Sequence, residues 1–256
     1  VGYIGDMVET APDTASRFDA TVDDYVQHRP DYPDALVHWL RAVSAIVPPA
    51  VVVDLGAGTG ISARRWARHG YAVTGVEPNV RMRAAAELAG AASYRGGTST
   101  ATALPDAHAS MVIACQAFHW FDLVPTLREI DRILRPGGWA MAAWNFRDTD
   151  TPQMDGYDAL LRTHSTEYRR MAHGPKRLAE LQALPGAVTA DVANAQHLDR
   201  PGLRGRANSA SYVQRGVADR PAFEAALDAL FDAHAGDDGI FHFAYRTRAV
   251  AWPRRP

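Results

Sequence analysis

Apolar and polar positions follow two rhythms along this chain. Runs that are apolar throughout predict strands buried on both faces at Val51-Val52-Val53, Met111 to Cys115 and Trp139 to Trp144. Elsewhere apolar residues recur at helical spacing, as at Leu36, Leu40 and Val43, and again at Leu123, Leu127, Ile130, Ile133 and Leu134. Pro33 in the first turn opens the former helix and Pro48-Pro49 closes it, while Arg135-Pro136-Gly137-Gly138 stops the latter. Two more helices are predicted at Ile61 to His69 and Asn79 to Ala89, each ended by a glycine, and two more strands at Tyr71 to Val76 and Ala91 to Arg95. Beyond residue 150 the rhythm is less regular. There the pattern predicts helices over 155–170, 176–184 and 220–235, with strands over 188–197 and 240–250. Strands alternating with helices predict an α/β domain with a mainly parallel sheet.

Composition adds little to this except by exclusion. At 256 residues, 47% hydrophobic and 22% charged, the chain has enough material for one buried core and is read as a single domain over 1–256. A formal charge of −2 supplies no basic field for nucleic acid or an anionic membrane, which leaves a small molecule as the expected partner. Cys115 is the lone cysteine, no apolar run reaches the roughly 20 residues of a membrane span, and Val1 to Pro12 lacks a signal-peptide pattern. The expected setting is the cytoplasm.

The chemistry concentrates after the first buried strand. Gly56, Gly58 and Gly60 let the backbone turn sharply and approach a ligand without a Cβ clash. A dinucleotide fingerprint would place its third glycine where this chain has Ile61. Asp54, immediately before the loop, would repel a pyrophosphate and attract an ammonium such as the amino end of S-adenosylmethionine. Glu77 ends the next strand, at the same carboxyl edge of a parallel sheet, where it can accept hydrogen bonds from a ribose diol. A nicotinamide-dependent oxidoreductase and a non-catalytic adenosine-binding module are the competing readings of this pair.

The run VVVDLGAGTG…VTGVEPN…LPDAHASMVIACQAFHWFD…LREIDRILRPGGW resembles the class I S-adenosylmethionine-dependent methyltransferases. It is most similar to the small-molecule group that includes the ubiquinone/menaquinone and trans-aconitate enzymes. The resemblance is strong over about residues 22–145 and weaker beyond, where Leu203 to Gln214 and the terminal strand are similar to that group's C-terminal part. It implies a Rossmann-like, doubly wound seven-stranded sheet with an antiparallel last strand. It also implies an N-terminal cover segment over 1–34, a cofactor core over 35–149, a helical cover insertion over 150–186, and C-terminal strands and a helix over 187–256.

For the cofactor, the resemblance implies Gly56, Ala57 and Gly58 along the methionine moiety, Asp54 near its amino group and Glu77 on the ribose. Pro78 and Met82 would lie beside the adenine, and Gln116 near the cofactor. Tyr25 and Arg29 would close over it, Arg29 meeting its carboxylate. Many relatives carry an acid where this chain has Thr100-Ala101-Thr102, so hydroxyl or backbone contacts at Thr100 and Ala101 would read the adenine instead. Phe118, His119 and Trp120, with Trp144 and Tyr212, would line the acceptor pocket. His119 is the candidate general base, beside an alternative in which it only fixes its loop. The expected reaction is methyl transfer to a small-molecule acceptor, on oxygen before carbon or nitrogen, leaving S-adenosylhomocysteine. No metal is implied, and a monomer or homodimer is expected.

Overall fold

A computed structural model describes residues 28–168 and 173–255 of the chain. Its sheet has seven strands: β1 (Val51–Leu55), β2 (Ala72–Val76), β3 (Ser93–Arg95), β4 (Ala109–Cys115), β5 (Leu134–Arg147), β6 (Val188–Leu198) and β7 (Phe241–Pro253). They lie in the order β3-β2-β1-β4-β5-β7-β6. The first five are mutually parallel, and β7 runs antiparallel to both β5 and β6. This is the doubly wound, mainly parallel sheet with a reversed last strand that the sequence implied. Helices α1 (Asp34–Ser44), α2 (Ile61–Arg68), α3 (Val80–Ala89) and α4 (Leu123–Ile133) belong to the parallel half.

The period-2 alternation of the buried strands divides the core. Val53, Val112, Ala142 and Val250 point to one face, where Leu127, Ile130 and Ile133 of α4 cover them. Val52, Ile113, Met141 and Ala249 point to the other, against Leu36 and Leu40 of α1 and Trp66 of α2. A third cluster joins α5 (Pro152–His164), α7 (Arg200–Asn208), α8 (Ser211–Gly216) and α9 (Arg220–His234) to Phe241, Phe243 and Tyr245 of β7. Helix α6 (His173–Gln182) instead sends Leu178 and Leu181 to the first face. The expected insertion over 150–186 is therefore divided between two cores, with α5 inseparable from the C-terminal helices.

Several boundaries differ from the sequence pattern. Pro33 is the cap residue before α1, one position earlier than expected, and its φ of −70° suits that place. Strand β5 runs from Leu134 to Arg147 because Gly137, at φ +77°, lets the Arg-Pro-Gly-Gly turn continue into the ladder. Helices α7 and α8 were not legible, since Pro201, Gly202 and Gly205 make a poor helix sequence. Asp199 nevertheless caps α7 by accepting from Gly202 N at 2.8 Å, and Leu203, Arg206 and Ala207 bury its inner face. The chain packs so tightly here that a Cβ on Gly205 would collide with the His28 ring.

Candidate functional site

The glycine loop is stapled to the neighbouring strand. Gly56 N and Ala57 N both donate to Val76 O, at 2.9 and 3.2 Å. Gly56, Gly58 and Gly60 have φ of +67°, +57° and +80°, the left-handed region where a side chain is strained. Gly56 packs downward, where a Cβ would meet that of Ala117 at 2.7 Å. Gly58 faces the opposite way, and a Cβ there would find only Met82 Sδ, at 3.9 Å. The open side of the loop is thus at Gly58, with Met82 beside it.

Asp54 lies directly under the loop, fully buried. Its Oδ2 accepts from Ser62 Oγ at 2.5 Å, and its Oδ1 has no partner. Burial pushes its pKa up to about 7, opposed by the Ser62 hydrogen bond and reinforced by the nearby Glu77 charge. Glu77 is also buried. Its Oε2 accepts from Gly58 N at 2.8 Å and its Oε1 from Asn79 N at 2.9 Å, so the carboxylate locks the loop to the start of α3. Burial raises its pKa against those two amide bonds and the Arg83 charge. Each carboxylate oxygen retains a second lone pair for a ribose hydroxyl. Two carboxylates beneath one loop disfavour a pyrophosphate, and the orphaned Asp54 Oδ1 asks for a donor. The residues present fit an adenosyl amino acid carrying an ammonium group.

A cavity at the carboxyl edge of the sheet brings together Arg29, Gly56, Gly58, Ser62, Gln116 and Arg206. Arg29 Nη2 donates to Ser209 O at 2.8 Å, which ties the segment before α1 to the end of α7. Gln116 takes φ +54°, and its N–H donates to Ala143 O at 2.8 Å. That strained exit from β4 turns its side chain to the cavity. Pro78 is exposed next to Glu77, and Thr100 and Ala101 are exposed in the loop after β3. The Thr102 hydroxyl is committed to Glu129 Oε1 at 2.5 Å, and the Thr100 hydroxyl shares a 3.3 Å hydrogen bond with that of Thr98. Tyr25 lies outside the described residues.

The expected acceptor wall separates into different roles. Phe118 is fully buried and meets Trp252 edge-on at 5.9 Å, because the 3-10 turn Phe118–Trp120 rotates it into the core. Trp144 is likewise buried. Its Nε1 donates to His119 Nδ1 at 3.2 Å. An indole nitrogen can only donate, so Nδ1 is the acceptor and the proton of the neutral imidazole sits on Nε2. In this arrangement His119 offers an N–H at Nε2. Trp120 remains 40% exposed, its ring against that of His119. Asn145 accepts from Thr247 Oγ1 at 2.5 Å and donates to Asp31 O at 3.4 Å, holding the entering segment on the sheet.

A conservative test of His119 follows from this bond. His119→Asn is expected to reduce turnover by less than about 10-fold, against the roughly 10²–10⁴-fold of a lost general base. Steady-state rates beside melting curves check it. A loss near 10³-fold with unchanged melting would restore the base.

Two arginines escaped the sequence reading. Arg147, at the end of β5, donates from Nη1 to Tyr212 Oη at 2.7 Å and from Nη2 to Tyr168 Oη. Arg206 donates from Nε to Tyr245 Oη at 2.7 Å. A signal existed for the second. Leu203, Arg206 and Ala207 share i, i+3, i+4 spacing, which places a charged residue on a buried helix face.

Residues 53–142 match the type 11 methyltransferase domain family. The matched segment holds Asp54, the glycine loop and Glu77. An uncharacterized methyltransferase of Schizosaccharomyces pombe is 31% identical over 56% of this chain and 58% of its own length. One from Mycobacterium tuberculosis is 36% identical over 53% of this chain and 55% of its own length. The chain therefore spans a little over half the length of these curated relatives in the matched region. A solved structure described as a type II methyltransferase from Anaeromyxobacter dehalogenans shares the methyltransferase fold. Its TM-score is 0.70 at 21% identity, over 89% of this chain and 99% of that chain. A SAM-dependent methyltransferase from Geobacter sulfurreducens, solved with S-adenosylhomocysteine, shares the fold at TM-score 0.52 and 21% identity, over 93% and 98%.

Proposed function

We propose that this protein transfers the methyl group of S-adenosylmethionine to a small-molecule acceptor, on oxygen, in the cytoplasm. One observation carries the reading: the buried Asp54, with Oδ1 lacking a partner, under a glycine loop held open at Gly58 by Glu77. S-adenosylmethionine bound there supplies an electrophilic methyl group on a sulfonium. Asp54 would hold its ammonium, Glu77 its ribose, and Met82 would flank its adenine. Arg29 and Gln116 line the cavity with Gly56 and Gly58, where the methionine part would lie. Positioning then provides most of the rate, up to about 7–11 kcal/mol in well-aligned displacements. The small-molecule reading rests on the near-neutral charge, and the cytoplasmic one on a single, buried thiol. Among the described residues no helix is long and apolar enough to cross a membrane.

Calorimetry with S-adenosylhomocysteine, repeated in the presence of NADH, tests the cofactor. Binding that NADH does not displace is expected, and displacement by NADH would favour an oxidoreductase. Transfer of label from S-[methyl-³H]adenosylmethionine across an acceptor panel tests the activity. Binding without any transfer would leave an adenosine-binding module.

A further inference from the structure

The third core holds a feature unusual for a protein interior: two guanidinium groups with less than one carboxylate between them. Asp158 Oδ1 lies 3.7 Å from Arg147 Nη2, but Asp158 Oδ2 is engaged by Arg162 at 2.7 Å. Among the described residues no carboxylate pairs with Arg206, which is only 5% exposed. The groups around them are mostly aromatic rings. Tyr157, Tyr168 and Tyr212 surround the Arg147 guanidinium at 5.8, 5.1 and 5.9 Å, and Phe243 and Tyr245 flank that of Arg206. Burial alone would push the Tyr212 phenol up, yet Arg147, Arg206 and Arg29 together hold it below its usual value. The field in this pocket is positive.

Three polar atoms of the cluster are buried without partners: Arg206 Nη1, Arg147 Nε and Tyr157 Oη. All three are donors or can donate. A buried guanidinium lacking a counter-charge is strongly disfavoured unless something completes it. The planar fork of arginine suits a carboxylate better than any other common group. Place matters as much as charge. Arg206 lines the same cavity as Gly56, Gly58 and Gln116, while Arg147 lines a separate cleft with Asp148, Asp191 and Arg248, so it is the Arg206 end of the cluster that lies beside the cofactor loop.

We propose that the acceptor carries a carboxylate, anchored by Arg206, with the Arg147 charge and the Tyr157 hydroxyl behind it. This rests on the methyltransferase reading and gives it a substrate class. A carboxylate is already ionised at neutral pH, and an acceptor held through one suits a site whose histidine donates at Nε2. The same chemistry could come from the methionine carboxylate of the cofactor, and the test separates the two sources.

The protein is first saturated with S-adenosylhomocysteine, whose binding checks the underlying reading on its own. Benzoate and succinate are then titrated against their uncharged amides, benzamide and succinamide. At least one acid is expected to bind about 10–100-fold more tightly than its amide, the range of one or two charge-assisted hydrogen bonds. Arg206→Gln should remove that preference while leaving S-adenosylhomocysteine affinity within about 3-fold. Tyr157→Phe, which keeps the ring, should weaken the acid several-fold and serves if the arginine variant does not fold. The proposal is overturned if the cofactor product binds and acids and amides are indistinguishable, including when neither binds. It is equally overturned if Arg206→Gln weakens S-adenosylhomocysteine but not methylthioadenosine, which lacks the carboxylate; the anion would then belong to the cofactor.

Discussion

Glu77→Ala is expected to lower affinity for S-adenosylhomocysteine by about 100-fold or more, the largest effect of any single substitution in the loop region. The carboxylate organises the loop and, in the proposed complex, would also accept from the ribose. Its two oxygens receive Gly58 N and Asn79 N at 2.8 and 2.9 Å in a buried setting. A hydrogen bond to a charged group contributes about 1.5–3 kcal/mol, so losing the loop contact and one ribose contact together exceeds two decades in affinity. The apo protein should also lose about 1–3 kcal/mol of stability, because two amides are left without their acceptor. Glu77→Gln should fall between, since its amide nitrogen turns a donor toward one of those N–H groups. Calorimetry and urea unfolding of the three proteins check this. Unchanged affinity in both variants would remove Glu77 from the cofactor site.

The second large effect is in pH. Affinity for S-adenosylhomocysteine should rise about tenfold per pH unit below 7 and level off above it. Burial raises the pKa of Asp54 to about 7 in the apo protein, so the group is largely protonated at pH 6. An ammonium against Oδ1 favours the ionised form, and binding below pH 7 must therefore release a proton. The sign for stability is the reverse of the usual carboxylate. Between about pH 4, where the unfolded chain ionises, and pH 7, the folded apo protein holds the extra proton, so its stability falls as pH rises. Asp54→Asn should abolish both trends, with a more stable apo protein at pH 8 and a weak, pH-independent affinity. Calorimetry in buffers of different ionisation enthalpy counts the proton. A flat affinity profile in the unmodified protein would mean that Asp54 does not meet the ammonium.

Both predictions concern residues that were legible before any coordinates, and locality is the reason. Asp54 and Glu77 end consecutive strands of one β-α-β unit, whose crossover leaves little freedom of hand or register. The ladder pairs Asp54 with Gly75 and Leu55 with Val76, which brings both carboxylates to one edge. Gly56, Gly58 and Gly60 could be read because each sits at positive φ, where other residues are strained. Even so, sequence placed Asp54 only beside the ammonium. That Oδ1 is orphaned while Oδ2 is held by Ser62 depends on packing.

The acceptor side shows the opposite case. Composition offered aromatics and a histidine after β4, but the Trp144 indole, 25 positions along the chain, decides which histidine nitrogen carries the proton. Phe118 and Trp144 look like pocket walls in the sequence and are core in the fold, because the same apolar chemistry serves both. Arg147, Tyr157, Arg206 and Tyr212 come from β5, α5, α7 and α8, and none signals the others in sequence. They meet because β7 turns antiparallel to β5 and sets Tyr245 opposite Arg147, while the third core folds α5, α7 and α8 onto that end of the sheet. By itself, then, the sequence determined the parallel half-sheet and its cofactor loop, where strand, turn and carboxylate are neighbours along the chain. Only the tertiary structure decided the charge of the pocket beside it, because long-range packing alone buries two cations together.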